Sequence, residues 1–224
     1  MKRIFLLLSA LGLFLSCSSL PQVYPDGDSA DLQTGRVCRG PFPDGDWQLL
    51  HSIEATLPGG KKGFLMGLTV ISSSIRTARC VIMTLEGFVV FDALYDQQIT
   101  VKRAIAPFDS QGFAEGLIRD IQLIFFAPEG ILAAAGNDKD GASICRYHNP
   151  DGWIVDLVIH GDRTWQIRQY NRRFRLNRTV SAFFSQKDPI EEGYAIPHRL
   201  ELTAHGVAGY KLIMDLVEAV PLSP

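Results

Sequence analysis

Side-chain alternation with a period of two runs through most of this chain and confines it to extended, sheet-forming structure. From Trp47 to Leu57, the residues Trp47, Leu49, His51, Ile53, Ala55 and Leu57 share one parity, against mainly Gln48, Ser52, Glu54 and Thr56 on the other. That is a half-buried strand. Pro58-Gly59-Gly60-Lys61-Lys62 reads as a turn, and Gly63 to Ser72 as a second strand with Phe64, Met66, Leu68 and Val70 on one face. A third covers Ala78 to Thr84, a fourth Phe88 to Tyr95 after the Glu86-Gly87 turn, and a fifth Ile99 to Ile105. Five short strands with tight links predict an antiparallel meander.

The period changes once. Phe113, Leu117, Ile121, Ile124 and Phe125 recur at helical spacing, with Glu115, Arg119 and Asp120 on the other side. Asp109 or Ser110 can cap this helix and Pro128 stops it. A second short helical piece is expected over Gly130 to Ala135. Strands then resume at Ala142–Tyr147, Trp153–Ile159, Thr164–Tyr170, Phe174–Phe184 and Ile196–Ala204. The last is Tyr210–Val217, with Tyr210, Leu212, Met214 and Leu216 on one face. About eleven strands and a central helix predict a mainly β fold with helices (α+β): one strongly curved, unclosed antiparallel barrel around a helical plug.

Ahead of this body stands a different grammar. Lys2 and Arg3 precede an apolar run from Ile4 to Leu15, then Ser16 and Cys17. A run this short after a positive start reads as a signal peptide, residues 1–16, rather than a membrane span. It resembles the lipobox of bacterial lipoproteins, in which the cysteine becomes the acylated first residue, with Phe14 where leucine is usual. Cys17 is thus the expected lipidation site, carrying palmitate-type chains. Residues 17–36, with Pro21, Pro25, Gly27, Asp26, Asp28 and Asp31, read as a flexible tether, and residues 37–224 as a single domain. By the sorting rule of diderm bacteria, Ser18 favours the outer membrane, at its periplasmic face.

The precursor carries a net charge of −2, or −4 without Lys2 and Arg3, which argues against nucleic-acid binding. Of the three remaining cysteines, two can pair in an oxidising envelope, and the sequence alone does not decide which. Cys80 sits in an apolar run suited to a buried thiol; Cys38 with Cys145 is the favoured bridge. No metal or redox cofactor is implied, for there is neither a Cys-x-x-Cys nor a His-Glu-x-x-His spacing. A Gly-x-Ser-x-Gly elbow and a phosphate loop are also missing. Five histidines are scattered, with His51 and His198 on apolar strand faces. No catalytic residue is assigned, and an enzyme is not expected.

Four segments carry a resemblance: Gly63-Phe-Leu-Met-Gly-Leu-Thr, Thr84-Leu-Glu-Gly-Phe-Val-Val-Phe-Asp, Arg119-Asp-Ile-Gln-Leu-Ile-Phe-Phe and Gly209-Tyr-Lys-Leu-Ile-Met. In this order after a lipobox, they resemble the LolA/LolB-like envelope lipoproteins. Closer still is a lipoprotein family of that fold met alongside fatty-acid-like or aryl-polyene biosynthetic proteins. The resemblance implies an unclosed barrel whose concave side, covered by helices, forms an apolar cavity. In the sorting proteins of that fold the cavity receives the acyl chains of lipoproteins.

Large apolar side chains on a concave face either fill the interior or leave room for a ligand. The expected lining is Trp47, Phe64, Met66, Leu68, Met83, Phe88, Val90, Trp165, Leu200, Leu202 and Met214, covered by Phe113, Leu117 and Ile121. The bland alternative is that these are core. Six arginines fall within sixteen residues: Arg163, Arg168, Arg172, Arg173, Arg175 and Arg178. Guanidinium forks suit phosphate or carboxylate, so Arg168, Arg172, Arg173 and Arg175 are candidates for an anionic surface. The alternative is a solvated outer face that guards strand edges. The expected protein is a monomeric, non-catalytic lipoprotein that binds an acyl chain or similar apolar ligand. Its partners would be the membrane and a periplasmic carrier or biosynthetic protein. The competing class is a structural lipoprotein that docks an envelope complex, and a lipid hydrolase comes third.

Overall fold

A computed structural model describes residues 20–25, 38, 40–161, 164–184 and 196–222; the signal segment, Cys17 and Arg163 lie outside them. Before the helix come β1 (Asp46–Thr56), β2 (Lys62–Ser72), β3 (Thr77–Met83), β4 (Val89–Asp96) and β5 (Gln98–Ala104). The helix α1 covers Gln111–Phe125. After it come β6 (Ile131–Asn137), β7 (Ser143–His148), β8 (Ile154–Ile159), β9 (Trp165–Tyr170), β10 (Leu176–Phe183), β11 (Arg199–Ala204) and β12 (Tyr210–Pro221). All twelve belong to one sheet, ordered β5-β4-β3-β2-β1-β12-β11-β10-β9-β8-β7-β6. Every ladder is antiparallel. The first and last strands meet in the middle, so β5 and β6, the strands flanking α1, are left as the two edges.

The twelfth strand corrects the sequence reading. Gly130–Ala135 reads as a short helical piece in the sequence, but Ile131–Asn137 pairs with β7. Gly130, at φ 115°, enters the strand where a Cβ would sit 2.1 Å from the His148 carbonyl oxygen. A helix of seven residues is marginal on its own, whereas pairing with β7 satisfies the backbone amides of the segment.

α1 starts where its cap allows. The Ser110 side chain accepts a hydrogen bond from the Phe113 amide at 3.2 Å, so Ser110 rather than Asp109 is the N-cap. The helix buries Ala114, Ile118, Ile121, Leu123, Ile124 and Phe125 against the inner face of the sheet. Phe113 meets Phe91 and Phe108 edge-on, each at 5.1 Å between ring centroids. Leu49, Ile71, Cys80, Phe91, Leu157, Ile167, Val180, Leu200 and Leu202 form the floor of the same core.

Asp120 is not on the solvent side, as the helical spacing suggested; it is buried. Its carboxylate accepts from Arg178 Nε on β10 and from the Tyr210 hydroxyl on β12. Burial pushes its carboxyl above the ordinary range, against the pull of Arg178 and Tyr210. Arg178 therefore leaves the arginine cluster and faces inward.

The chain before β1 touches both sides of the sheet. Residues 20–25 cross the convex face of β7 and β8. There Arg146 Nη2 donates to the Pro21 carbonyl at 2.9 Å, and Val23 packs on Ala142, Ile144 and Val158. Tyr24 pairs with Asn137 at the β6 edge through bonds of 2.9 and 2.8 Å. Gly136 makes the approach possible, since a Cβ there would lie 2.0 Å from the Tyr24 oxygen. Cys38 is on the inner side, bonded to Cys145 of β7 across a sequence separation of 107. Tyr147 donates its hydroxyl hydrogen to the Cys38 carbonyl. Cys80 is a buried free thiol, pushed up to about 12 by desolvation.

Candidate functional site

Residues directly opposed in an antiparallel pair project to the same face, so the ladders sort the expected lining into two groups. Ile53, Leu65 and Met214 share the inner side, and a Cβ on Gly67 would point at Ile53 Cδ1, 2.6 Å away. On β2 the core-facing set is therefore Leu65, Gly67, Thr69 and Ile71. Phe64, Met66 and Leu68 lie on the convex side, and Phe64 is 58% exposed. Met83, opposite Met66, joins them, and Phe88 projects from the β3–β4 turn at 71% exposure. These five are removed from the lining. On the inner face the small Gly67 leaves room for Ile53 of β1, so the larger side chains of β2 are those that point outward.

The rest of the expected lining is interior. Val90, Ile121, Trp165, Leu200, Leu202 and Met214 are buried, while Trp47, Phe113 and Leu117 pack at the margin of the core. Two buried side-chain nitrogens have no hydrogen-bond partner among the described residues: Trp165 Nε1, in this set, and His51 Nε2 on β1. His51 lies 6.2 Å from the Phe125 ring, and burial lowers its pKa to about 4 against the opposing pull of Asp215. His198, by contrast, is exposed.

Where α1 meets the β5 edge, the inner face is open. A cleft of about 540 Å³ lies between the N-terminal half of the helix and β4–β5. Phe91, Ile99, Val101, Ala104, Phe108 and Ala114 form its apolar walls; Gln98, Asp109, Ser110, Gln111 and Glu115 provide polar groups at its border. The ladder with β4 turns Ile99, Val101 and Ala104 inward, opposite Tyr95, Ala93 and Phe91. Gln111 Nε2 donates to Glu115 Oε1 at 2.8 Å along the helix. A half-open apolar trough with polar groups at its border suits an extended apolar chain with a polar end. Sequence reasoning missed this site. The available signal was that Ile99 and Val101 alternate on a strand with no sixth partner to cover them.

At the other end of α1 a hollow of about 230 Å³ is bordered by Arg76, Arg119, Gln122, Asp151 and Gln169. Its polarity does not suit an apolar chain. The arginines also separate: Arg168 donates to Gln166, while Arg172, Arg173 and Arg175 stand together on the exposed β9–β10 turn. Among the described residues no group of three His, Cys, Asp or Glu side chains could hold a metal ion.

No family model and no curated protein sequence matches the chain. Solved structures do. A LolA superfamily protein from Nitrosomonas europaea is similar with a TM-score of 0.56 at 11% identity, over 85% of this chain and 92% of that one. A domain from Vibrio parahaemolyticus assigned to outer membrane lipoprotein sorting gives 0.50 at 11% identity, covering 87% and 93%. A DUF1329 family protein from Desulfovibrio piger gives 0.51 at 13%, covering 88% and 95%. Over nearly its whole length, therefore, this chain has the LolA/LolB-like fold: an unclosed, curved antiparallel sheet with a helix on its inner face.

Proposed function

We propose that this chain is an outer-membrane lipoprotein, anchored at its periplasmic face through acylated Cys17, that holds an acyl chain or similarly apolar ligand and passes it on. The observation that carries the reading is the half-open apolar cleft between α1 and β4–β5. Its walls can cover methylenes while its open side leaves a polar headgroup in water. About ten buried methylenes at ~0.8 kcal/mol each contribute about 8 kcal/mol before ordering costs. That is enough to hold a lipid, and little enough for a membrane or a carrier to take it back. The Vibrio parahaemolyticus neighbour, described as an outer membrane lipoprotein-sorting domain, supports the reading. No catalytic step is part of it.

Native mass spectrometry of the full chain purified from bacterial membranes, followed by lipid extraction, tests the reading. A co-purifying lipid is expected, and it should be lost in a Val101→Glu, Ala114→Glu double variant but kept in Phe64→Glu on the convex face. A clean apo mass together with no uptake of a fluorescent fatty acid overturns the reading. The second reading, a docking protein for an envelope complex, draws on the convex apolar group Phe64, Met66, Leu68 and Met83 beside the exposed Leu85 and Phe88. An apo protein that loses a cross-linked envelope partner on Phe64→Glu would favour it.

A further inference from the structure

We propose that the β9–β10 turn, together with the adjacent β7–β8 turn, is a docking surface for the anionic headgroups of the bilayer that holds the chain's own anchor. The proposal rests on acylation of Cys17. Asn171 Oδ1 accepts from the amides of Arg173 and Arg175 at 2.9 and 3.1 Å, which ties the β9–β10 turn into one shape. Arg172 Nε donates to the Asp151 carbonyl at 2.6 Å and joins it to the β7–β8 turn. Between the two turns lies a recess of about 370 Å³ lined by Trp153, Asn171, Arg172 and Arg173. Among the described residues, none of Arg172, Arg173 and Arg175 makes an ion pair. A body of net negative charge thus concentrates three guanidiniums at one end, with Asp151 as the one carboxylate in the two turns. Guanidinium forks match phosphate oxygens, and an indole beside them suits the boundary between headgroup and acyl chain.

The N-terminal segment supplies the second, independent argument. From Tyr24 back to Pro21 it passes from the Asn137–Ser143 row to Arg146, and so heads along β7 toward the β7–β8 turn. His148 ends that strand. Only three peptide links separate Leu20 from Cys17, a reach of at most ~11 Å. Two strand residues beyond Arg146 span ~7 Å. An anchor three links beyond Leu20 has the reach to lie at the end of the sheet that carries both turns. An anchor held there brings Arg172, Arg173 and Arg175 to the headgroups of its own membrane, where basic side chains are attracted to anionic lipid.

The test uses the full-length acylated chain in vesicles, with phenylglyoxal modification of arginines read by mass spectrometry and Arg199 as internal reference. In vesicles of phosphatidylcholine with about 30% phosphatidylglycerol, modification of Arg173 and Arg175 is expected to be about tenfold slower than in phosphatidylcholine alone, and to recover in high salt. Inorganic phosphate added to the phosphatidylcholine vesicles should leave the rate unchanged. Equal rates in both vesicles overturn the proposal, as does protection by phosphate alone, which would indicate a free-anion site. The N-terminal peptide of the same digest reports acylation. Without acyl chains both the anchor and this surface fail; with them, equal rates remove the surface alone.

Discussion

Asp120 shows how far a side chain's role can depart from its local setting. It stands next to Ile121 on a helix and reads as part of a polar face, yet its partner Arg178 lies 58 residues away. A carboxylate buried among apolar side chains costs several kcal/mol unless a cation and a second donor compensate, and Arg178 and Tyr210 do so. Removing one member leaves the other uncompensated. Asp120→Ala is therefore expected to lower unfolding stability by about 3–5 kcal/mol in urea titration, while Asp120→Leu with Arg178→Met should recover most of it. His51 carries the opposite kind of constraint, since it is buried neutral. Its folded pKa of about 4 lies below the ordinary value of 6.5. The unfolded chain therefore binds the proton first. The stability His51 permits is complete above pH 6.5 and is lost as pH falls toward 4. About 2.5 units of difference correspond to roughly 3 kcal/mol. Urea midpoints should drop over that window, and His51→Leu should flatten the drop; an unchanged slope would mean that another group titrates there.

At the scale of elements, local signals governed where structure begins and long-range contacts governed which face it shows. Ser110 caps α1 at the place its sequence suggests, and Ser110→Ala should cost about 1 kcal/mol, read as a lowered thermal midpoint. β2 is the opposite case. Phe64, Met66, Leu68 and Val70 form the more apolar parity, but register with β1 turns Leu65, Gly67, Thr69 and Ile71 to the core. Both parities of such a strand look buried, and only the neighbours decide between them. β6 was hidden because its alanines favour a helix locally, and its strand partner lies beyond a polar loop. The Cys38–Cys145 bond joins the segment before β1 to β7 across 107 residues of chain. On the loop-entropy model Cys145→Ser should cost about 2–5 kcal/mol, measured by comparing urea midpoints under non-reducing conditions.

The whole molecule is a meander whose ends pair at its centre, so the edges fall at β5 and β6, on either side of the inserted helix. That arrangement, rather than any motif, opens the cleft: α1 covers the inner face of the β5 edge only in part and leaves Val101 exposed there. A ligand that fills it binds the folded state alone. A saturating fatty acid at about a hundred times its dissociation constant should raise stability by about 2.7 kcal/mol, visible as a shift in thermal midpoint that Val101→Glu abolishes. Alternation and one change of period determined the antiparallel sheet and the helix over Gln111–Phe125, because these depend on neighbours a few residues apart. The tertiary structure alone decided the strand order, the outward face of β2, the burial of Asp120 and the place of the cleft. Each of these depends on residues tens of positions apart competing for one interior, and local periodicity carries no information about who wins.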